Sequence, residues 1–482
     1  MWNIVKRFAN LGKPFYEYVA PTPLTKNVRT LHINGELLDK LELSQISNQE
    51  LLDICSGNQG LANYDSLASC YMGHQFGVPV ARLGDGRAIL IGEQLLGSGE
   101  IYELQLKGAG PTPFSRRGDG RAVLRSSIRE YLLSQAMKQL GIPTTEALAI
   151  VTSNDSVIRE TKEDAAIVLR TAESFIRFGH FEYYALHNKI DELEHLIRFV
   201  VQTYYPLPGV NDIALLTKHL LQEVVIKTAQ MIAKWQSVGF VHGVMNTDNM
   251  SILGLTIDYG PFAFMDEFAP KRIYNHSDSD GRYTYANQPQ IGWWNLYRLA
   301  EALIRVGEIN EVELQNILDS YAKYYNEEYQ RLMWQKVGVK DSAEVSDVDL
   351  VDDVLSFLEA NAIDYTLFWH KLSIGESGLA DLKKLYSGSN FDDLFIRIST
   401  EQLHHVNDKE AIYPEMQLVN PVFILRNHLL HEAVEKAKNN SLTEFNLLYD
   451  LISKPYQKLS DLAYYYQIPP VWASNLVLSC SS

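Results

Sequence analysis

Cysteine is scarce: Cys55, Cys70 and Cys480 are the whole complement of a 482-residue chain. Three thiols so scattered cannot form a disulfide framework, and none has the paired spacing of a zinc site. A reducing compartment is the expectation, cytoplasmic and of bacterial type. Long apolar runs are missing too, as is the apolar core of a secretory signal, so neither a membrane span nor export is expected. Lys6, Arg7 and Lys13 give the start a basic bias like that of a mitochondrial transit peptide, yet Pro14 and the early aromatic cluster favour a structured segment. The two commonest phosphate loops, G-x-G-x-x-G and G-x-x-x-x-G-K-[ST], are absent, which disfavours the dinucleotide-binding and P-loop classes. Positive charge is the minority sign. A formal net charge of -16 repels nucleic acid and anionic membranes, so neither is expected as a partner; a monomer is expected.

What the chain does have is core material and one basic window. Hydrophobic residues make up 46% and charged residues 21%, the balance of a chain that folds throughout. Between Lys107 and Arg129, six basic residues (Lys107, Arg116, Arg117, Arg121, Arg125 and Arg129) face the single acid Asp119, a bias that suits an anion. Strands are predicted around Ile89–Ile91 and over Tyr102–Lys107, where alternation puts Lys107 on the polar face. A helix follows from Val123 to Leu140, stopped by Gly141 and Pro143. With further strands at Leu148–Thr152 and Ala166–Arg170, residues 80–170 read as a small sheet carrying one buried helix. Beyond it the pattern is mostly helical, notably Lys218–Trp235 and Val422–Ala437, except for two short strands joined at Gly254 within Met250–Ile257. Asp341–Glu359 carries seven acids and no base, the pattern of a solvated helix face or surface loop.

Several residues carry chemistry. The pentapeptide G-D-G-R-A occurs twice, at Gly84–Ala88 and Gly118–Ala122. Such a sequence can be an ordinary tight turn, but glycines also let backbone N–H groups approach a phosphate while Arg87 and Arg121 supply charge. Lys107, with Glu130 on the next helix, has the order of a kinase strand lysine and its helix glutamate. The strongest signal is H-G-V-M-N-T-D-N-M at His242–Met250, followed by D-Y-G at Asp258–Gly260. His242 and Asn249 are seven apart, as in the kinase catalytic loop, and Asp258 follows as the D-F-G aspartate does. Asn249 and Asp258 are hard oxygen donors suited to Mg²⁺ or Mn²⁺ bridging phosphates. The general-base position, two after the histidine, is Val244, which cannot accept a proton. Asp248 is the neighbouring carboxylate able to serve instead.

The blocks L-Q-L-K-G-A-G-P-T-P-F-S-R-R-G-D-G-R-A, R-T-A-E-S-F-I-R-F-G-H-F, H-G-V-M-N-T-D-N-M-S-I-L-G-L-T-I-D-Y-G-P-F and N-H-S-D-x-x-G-R-Y stand in this order. From L-G-K-P-F-Y at Leu11 onward the chain resembles the selenoprotein O (SelO/YdiU) family. The resemblance implies an α+β, two-lobed protein-kinase-like (pseudokinase) fold, with a small β-rich lobe holding one central helix and a larger helical lobe. It further implies transfer of AMP from ATP, bound in reversed orientation, to Ser, Thr or Tyr hydroxyls of proteins, and UMP transfer with Mn²⁺ in bacterial members. Carried over residue by residue, Gly84, Gly86, Arg87, Lys107, Asp119, Gly120, Arg170 and Arg177 contact the nucleotide and Glu130 positions Lys107. Asp248 is the proton acceptor, and Asn249 and Asp258 bind Mg²⁺ or Mn²⁺. The expected division is an amino-terminal extension over 1–75, lobes over 76–177 and 178–400, and a helical extension over 401–482.

From residue spacing alone, three functions share these features: adenylyltransfer, γ-phosphate transfer by a kinase, and nucleotide binding without catalysis. Val244 discriminates against the second, and the intact Asn249 and Asp258 against the third. Family members often place selenocysteine or cysteine third from the end, as Cys480 is here. The cysteine that could pair with it, just before N-H-S-D, is Tyr274 in this chain. Unreduced, denatured protein should therefore show three reactive thiols per chain by thiol titration; a count of one would reveal a disulfide.

Overall fold

The structure is a computed structural model that describes residues 1–307, 309–340, 345–386, 391–405, 411–459 and 462–478. Cys480 and the first four residues of the acidic stretch lie outside them. The chain is a mixed α+β protein with a β-rich amino-terminal region and a helical carboxy-terminal region. The strands of the first region are β1 (Tyr16–Tyr18), β2 (Arg29–Ile33), β3 (Leu67–Ser69), β4 (Gly73–Gln75), β5 (Val78–Val80), β6 (Ala88–Leu95), β7 (Ile101–Lys107), β8 (Ala122–Val123), β9 (Glu146–Ile158) and β10 (Lys162–Ala172). Its helices are α1 (Gly35–Lys40), α2 (Asn48–Cys55) and α3 (Leu124–Gln139). The main sheet runs β1-β3-β6-β7-β10-β9-β2, with β8 paired to β10, while β4 and β5 form a separate hairpin. Strands β1, β2 and β3, all before residue 76, thus belong to the same sheet as the strands anticipated over 80–170.

Both faces of this sheet are covered, and that decides where its polar residues go. Leu104, Leu106, Ile167 and Leu169 point to one side, where they pack with Leu37 of α1, Leu41 just after it, and Leu51 and Ile54 of α2. On the other side Ile150, Ala166 and Val168 pack with Ile128, Tyr131 and Leu132 of α3. Alternation along β7 and β10 therefore places Gln105, Lys107 and Arg170 on the α3 side, and the antiparallel register sets Val168 opposite Lys107 and Arg170 opposite Gln105. The polar face predicted for Lys107 exists, but it is interior: Gln105 is 1% and Lys107 6% exposed.

The helical region begins with α4 (Phe178–Leu186), α5 (Ile190–Tyr204) and α6 (Ile213–Ser237), the last capped by Asp212, whose carboxylate accepts from Leu215 N–H. It continues through the short pair β11 (Phe240–Val241) and β12 (Ala263–Phe264) to α7 (Gln288–Leu303), α8 (Glu311–Lys336), α9 (Leu350–Ala360), α10 (Tyr365–Ser373), α11 (Glu376–Leu385), α12 (Phe391–His405), α13 (Tyr413–Val419), α14 (Asn427–Lys438) and α15 (Thr443–Ile452). Helix α14 starts five residues later than apolar spacing suggests, because the backbone at Arg426 is extended (φ -73°, ψ 145°), while the N–H groups of Val422 and Phe423 bond to the carbonyl of Pro455. Nor does Met250–Ile257 form two strands. One bridge joins Met250 to Thr256, while Met250, Ile252 and Thr256 bond to Phe178, Ile176 and Pro143. The loop is stitched to distant segments rather than onto itself. No described helix is long and apolar enough to cross a membrane.

The amino-terminal segment is tied to the sheet by Glu93 of β6, whose carboxylate accepts from the N–H groups of Arg7, Phe8 and Ala9 and from the Tyr64 hydroxyl. Directly opposite Glu93 in the register is Glu103 of β7. Burial, reinforced by the Glu93 charge, pushes the Glu103 carboxyl up to about 8. A raised carboxyl stabilises the folded protein below the unfolded-state value, and that contribution disappears as pH rises toward about 8. Wild-type stability in urea should therefore fall between pH 5 and pH 8, and Glu103→Gln should remove much of that slope.

Candidate active site

A cavity of about 460 Å³ opens where β7, β10, α3 and the loops after α6 meet. Among its walls are Gly84, Gly86, Arg87, Lys107, Asp119, Gly120, Arg170, Arg177, Asp248, Asn249 and Asp258, so all the anticipated site residues except Glu130 line one space. Glu130 stands immediately behind it. Its carboxylate receives the Lys107 ammonium at 2.6 Å on one oxygen and Arg170 at 3.1 Å on the other. Glu130 thus anchors two cations, whereas the sequence suggests one.

Asp258 is the hub. One of its oxygens receives Lys107 at 3.0 Å and Arg170 at 2.6 Å, and the other is bonded by Arg177. Burial alone would raise this carboxyl, but Arg177, Lys107 and Arg170 together hold it well below the usual carboxylate range. The residue sits at a φ of 60°, uncommon for a side chain with a Cβ, which turns the backbone sharply as it enters the D-Y-G segment. His242 supports that turn from below: its Nε2 bonds to the carbonyl of Ile257 at 3.1 Å, while Nδ1 accepts from Val244 N–H. Burial depresses its basicity, which suits a neutral ring bridging two loops.

The two carboxylates of this loop pair differ in environment. Asp248 is 7% exposed; Gln75 donates to its Oδ2 at 3.2 Å, and Oδ1 has no hydrogen-bond partner among the described residues. Burial pushes it up to about 6, against the opposing influence of Gln75 and Arg177. One carboxylate is thus held ionised by three cations and the other has the basicity of a proton acceptor near neutral pH. Asn249 donates its amide N–H to the carbonyl of Val244 at 3.0 Å, which orients its amide oxygen as an available acceptor. Among the described residues no three His, Cys, Asp or Glu side chains cluster as a metal cage. Asn249 and Asp258 fit instead the sparse protein donor set of an ion whose remaining ligands are phosphate oxygens and water.

The basic window divides in two. Arg121 bonds the carbonyls of Thr22 and Pro23, Arg125 pairs with Glu163, and Arg129 bonds Asn427 and the carbonyl of Phe262. Those three cations serve the fold, although Arg121 also lines the cavity. Arg116, and Arg87 from outside the window, line the cavity and make no ion pair among the described residues. Asp119 is gripped by both terminal nitrogens of Arg159, at 2.8 and 2.9 Å, which lowers its carboxyl. The repeated G-D-G turns pack against neighbouring backbone: a Cβ on Gly120, at φ 64°, would lie 1.9 Å from the carbonyl oxygen of Gly110. Sequence reasoning missed Asp85, Arg159 and Gln75. Asp85 lies within the first pentapeptide and could have been noticed; Arg159 and Gln75 reach the cavity only through a hairpin turn and a separate hairpin, with no local signal.

A small cleft with a buried cationic shell and two unlike carboxylates belongs to the class of enzymes that handle the phosphates of a nucleotide. A profile of the family described as protein adenylyltransferase SelO matches residues 2–454. A protein named protein nucleotidyltransferase YdiU from Herminiimonas arsenicoxydans is 43% identical, with 99% of this chain and 97% of that protein covered. Proteins of the same name from Bordetella petrii and Vibrio vulnificus are 44% and 42% identical, covering 98% and 100% of this chain and 97% and 100% of their own. The chain belongs to the SelO protein adenylyltransferase family.

Because Glu130 holds both Lys107 and Arg170, its loss should cost more nucleotide affinity than loss of Lys107. By calorimetric titration Lys107→Ala should weaken ATP binding roughly tenfold, about 1.4 kcal/mol. Glu130→Ala should weaken it further, and the double variant should be no worse than Glu130→Ala alone. Additive losses would show that the two residues act separately.

Proposed function

We propose that this protein transfers AMP from ATP to Ser, Thr or Tyr hydroxyls of other proteins, on a two-lobed, kinase-like (pseudokinase) framework. Residues 76–177 and 178–400 would be the lobes, flanked by the extensions 1–75 and 401–482. The observation that carries the reading is the position of Asp248: buried, with one unpartnered oxygen, beside Asn249 and Asp258, in a cleft where Val244 occupies the place of a kinase base. The family descriptions of its relatives support the same chemistry.

In this reading Lys107, Arg170 and Arg177, which pair with Asp258 in the structure, receive the negative charge of the triphosphate, with Arg87 at the rim. Gly84, Gly86, Asp119 and Gly120 shape the loops that enclose the nucleotide. Asn249 and Asp258 would hold Mg²⁺ or Mn²⁺, which when bound neutralises phosphate charge and stabilises the leaving pyrophosphate. Asp248 takes the proton of the incoming hydroxyl as its oxygen bonds to the α-phosphorus. The bond from that phosphorus to the bridging oxygen breaks, and pyrophosphate leaves against the cationic shell. The net charge of -16 favours protein over nucleic acid as acceptor.

Incubation with ATP labelled on the α-phosphate should label protein, and ATP labelled on the γ-phosphate should not. Asp248→Ala should lower the rate by about 10² to 10⁴. Label arriving from the γ-position alone would identify a kinase instead.

A further inference from the structure

One wall of the cleft is a hairpin that no step of the proposed mechanism uses. Strands β4 and β5 pair Gly73 with Val80, His74 with Pro79 and Gln75 with Val78, and the chain reverses at Phe76 and Gly77. The hairpin is fastened to the loop that carries Asp248. The N–H of His74 donates to the Thr247 hydroxyl at 2.8 Å, and that hydroxyl donates to buried Glu182 of α4 at 2.7 Å. The N–H of Phe76 donates to Asn246 Oδ1 at 3.2 Å and to the Tyr283 hydroxyl at 3.0 Å; Tyr283 in turn donates to Asn246 at 2.7 Å. Tyr283 belongs to the N-H-S-D-x-x-G-R-Y stretch. Asp278 of that stretch accepts from the N–H groups of Arg282 and Tyr283, and Asn275 donates to the carbonyl of Gly243. The stretch therefore acts as a brace joining hairpin and catalytic loop.

Inside this brace the hairpin touches Asp248 at two points. Among the described residues, Gln75 supplies the one side-chain hydrogen bond to its carboxylate, at Oδ2. From the same strand Gly73 lies so close that a Cβ there would sit 2.2 Å from Oδ1 and 2.7 Å from the Asp248 Cβ. Arg177, the nearest cation, spends Nη1 on the backbone carbonyl of Asp248 and on Asp258, not on the Asp248 carboxylate. The bond from Gln75 and the close approach of Gly73 thus distinguish the two carboxylate oxygens.

We propose that Gln75 is a positioning residue for Asp248, holding the carboxylate with Oδ1 sealed against Gly73 and the second lone pair of Oδ2 directed to the acceptor hydroxyl, and that Gly73 provides the space this orientation occupies. The inference rests on Asp248 being the proton acceptor. A neutral amide is well suited to this role, because it donates to Oδ2 and adds no charge that would compete with Arg177 or Asp258. Without it the carboxylate is free to rotate about its terminal torsion, and the near-attack geometry is lost while the phosphate shell is untouched.

The test compares wild type, Gln75→Leu, Gly73→Ala, Asp248→Asn and the Gln75→Leu/Asp248→Asn double variant, measuring AMP transfer from α-labelled ATP, the KM for ATP and thermal unfolding. Gln75→Leu should lower kcat about 10- to 100-fold with KM for ATP and Tm close to wild type. In the Asp248→Asn background the same change should cost nothing further, since there is no carboxylate left to orient. Gly73→Ala should follow Gln75→Leu if it folds. An active wild type with unchanged kcat in Gln75→Leu, a loss carried in KM for ATP, or full additivity with Asp248→Asn would overturn the inference while leaving the proposed function standing. A wild type that transfers no AMP would overturn both.

Discussion

Asp258 and the cations around it hold the site together. Lys107 arrives from β7, Arg170 from β10 and Arg177 from the start of α4, and all three meet on one carboxylate, with Glu130 of α3 bonded to the first two. Removing such charges from water costs several kcal/mol per ion, and the cost is recovered only when each finds good partners. The ion cluster therefore requires sheet, helix and the D-Y-G segment to be in register at once. An incoming triphosphate, with a divalent ion, offers the same cations an alternative set of anionic partners.

The polar face of the sheet makes this possible. In a one-sided sheet the residues alternating with Leu104 and Leu106 would face water. Here α1 and α2 cover one side and α3 the other, so Gln105, Lys107 and Arg170 are enclosed. Gln105 holds the Arg170 guanidinium through two N–H bonds at 2.9 and 2.7 Å, which fixes its plane. The strands that complete the sheet come from the first 75 residues, and Glu93 secures the segment that precedes them. The amino-terminal part of the chain is thus coupled to the cleft through the sheet itself.

The two carboxylates Asp248 and Asp258 illustrate how environment separates the basicities of like groups. Asp258 is surrounded by cations and stays ionised; Asp248, more deeply buried and served only by an amide, is pushed up to about 6. Val244 stands where a kinase has its base, and the same loop carries a buried carboxylate four residues later. His242, neutral and bonded to both loops, keeps the pair of segments at a fixed separation.

Much was legible in the chain before folding, because local pattern encodes it. Period-two alternation marked β7, helical spacing marked α3 and α6, and the seven-residue interval from His242 to Asn249 marked a loop that lines the cavity; each depends on near neighbours only. The long blocks of unusual sequence identified the family. Other features depend on which distant segments meet. The late start of α14 accompanies bonds from Val422 and Phe423 to the Pro455 carbonyl, and the absence of strands in Met250–Ile257 follows from bonds to Pro143, Ile176 and Phe178. The second cation on Glu130, the grip of Arg159 on Asp119 and the approach of Gln75 and Gly73 to Asp248 join residues 40 to 175 positions apart. No periodicity records such contacts. Composition and motif specified the chemical groups, and the packing of two covered sheet faces against the helical region determined which of those groups were buried together and therefore which carboxyl was raised and which was lowered.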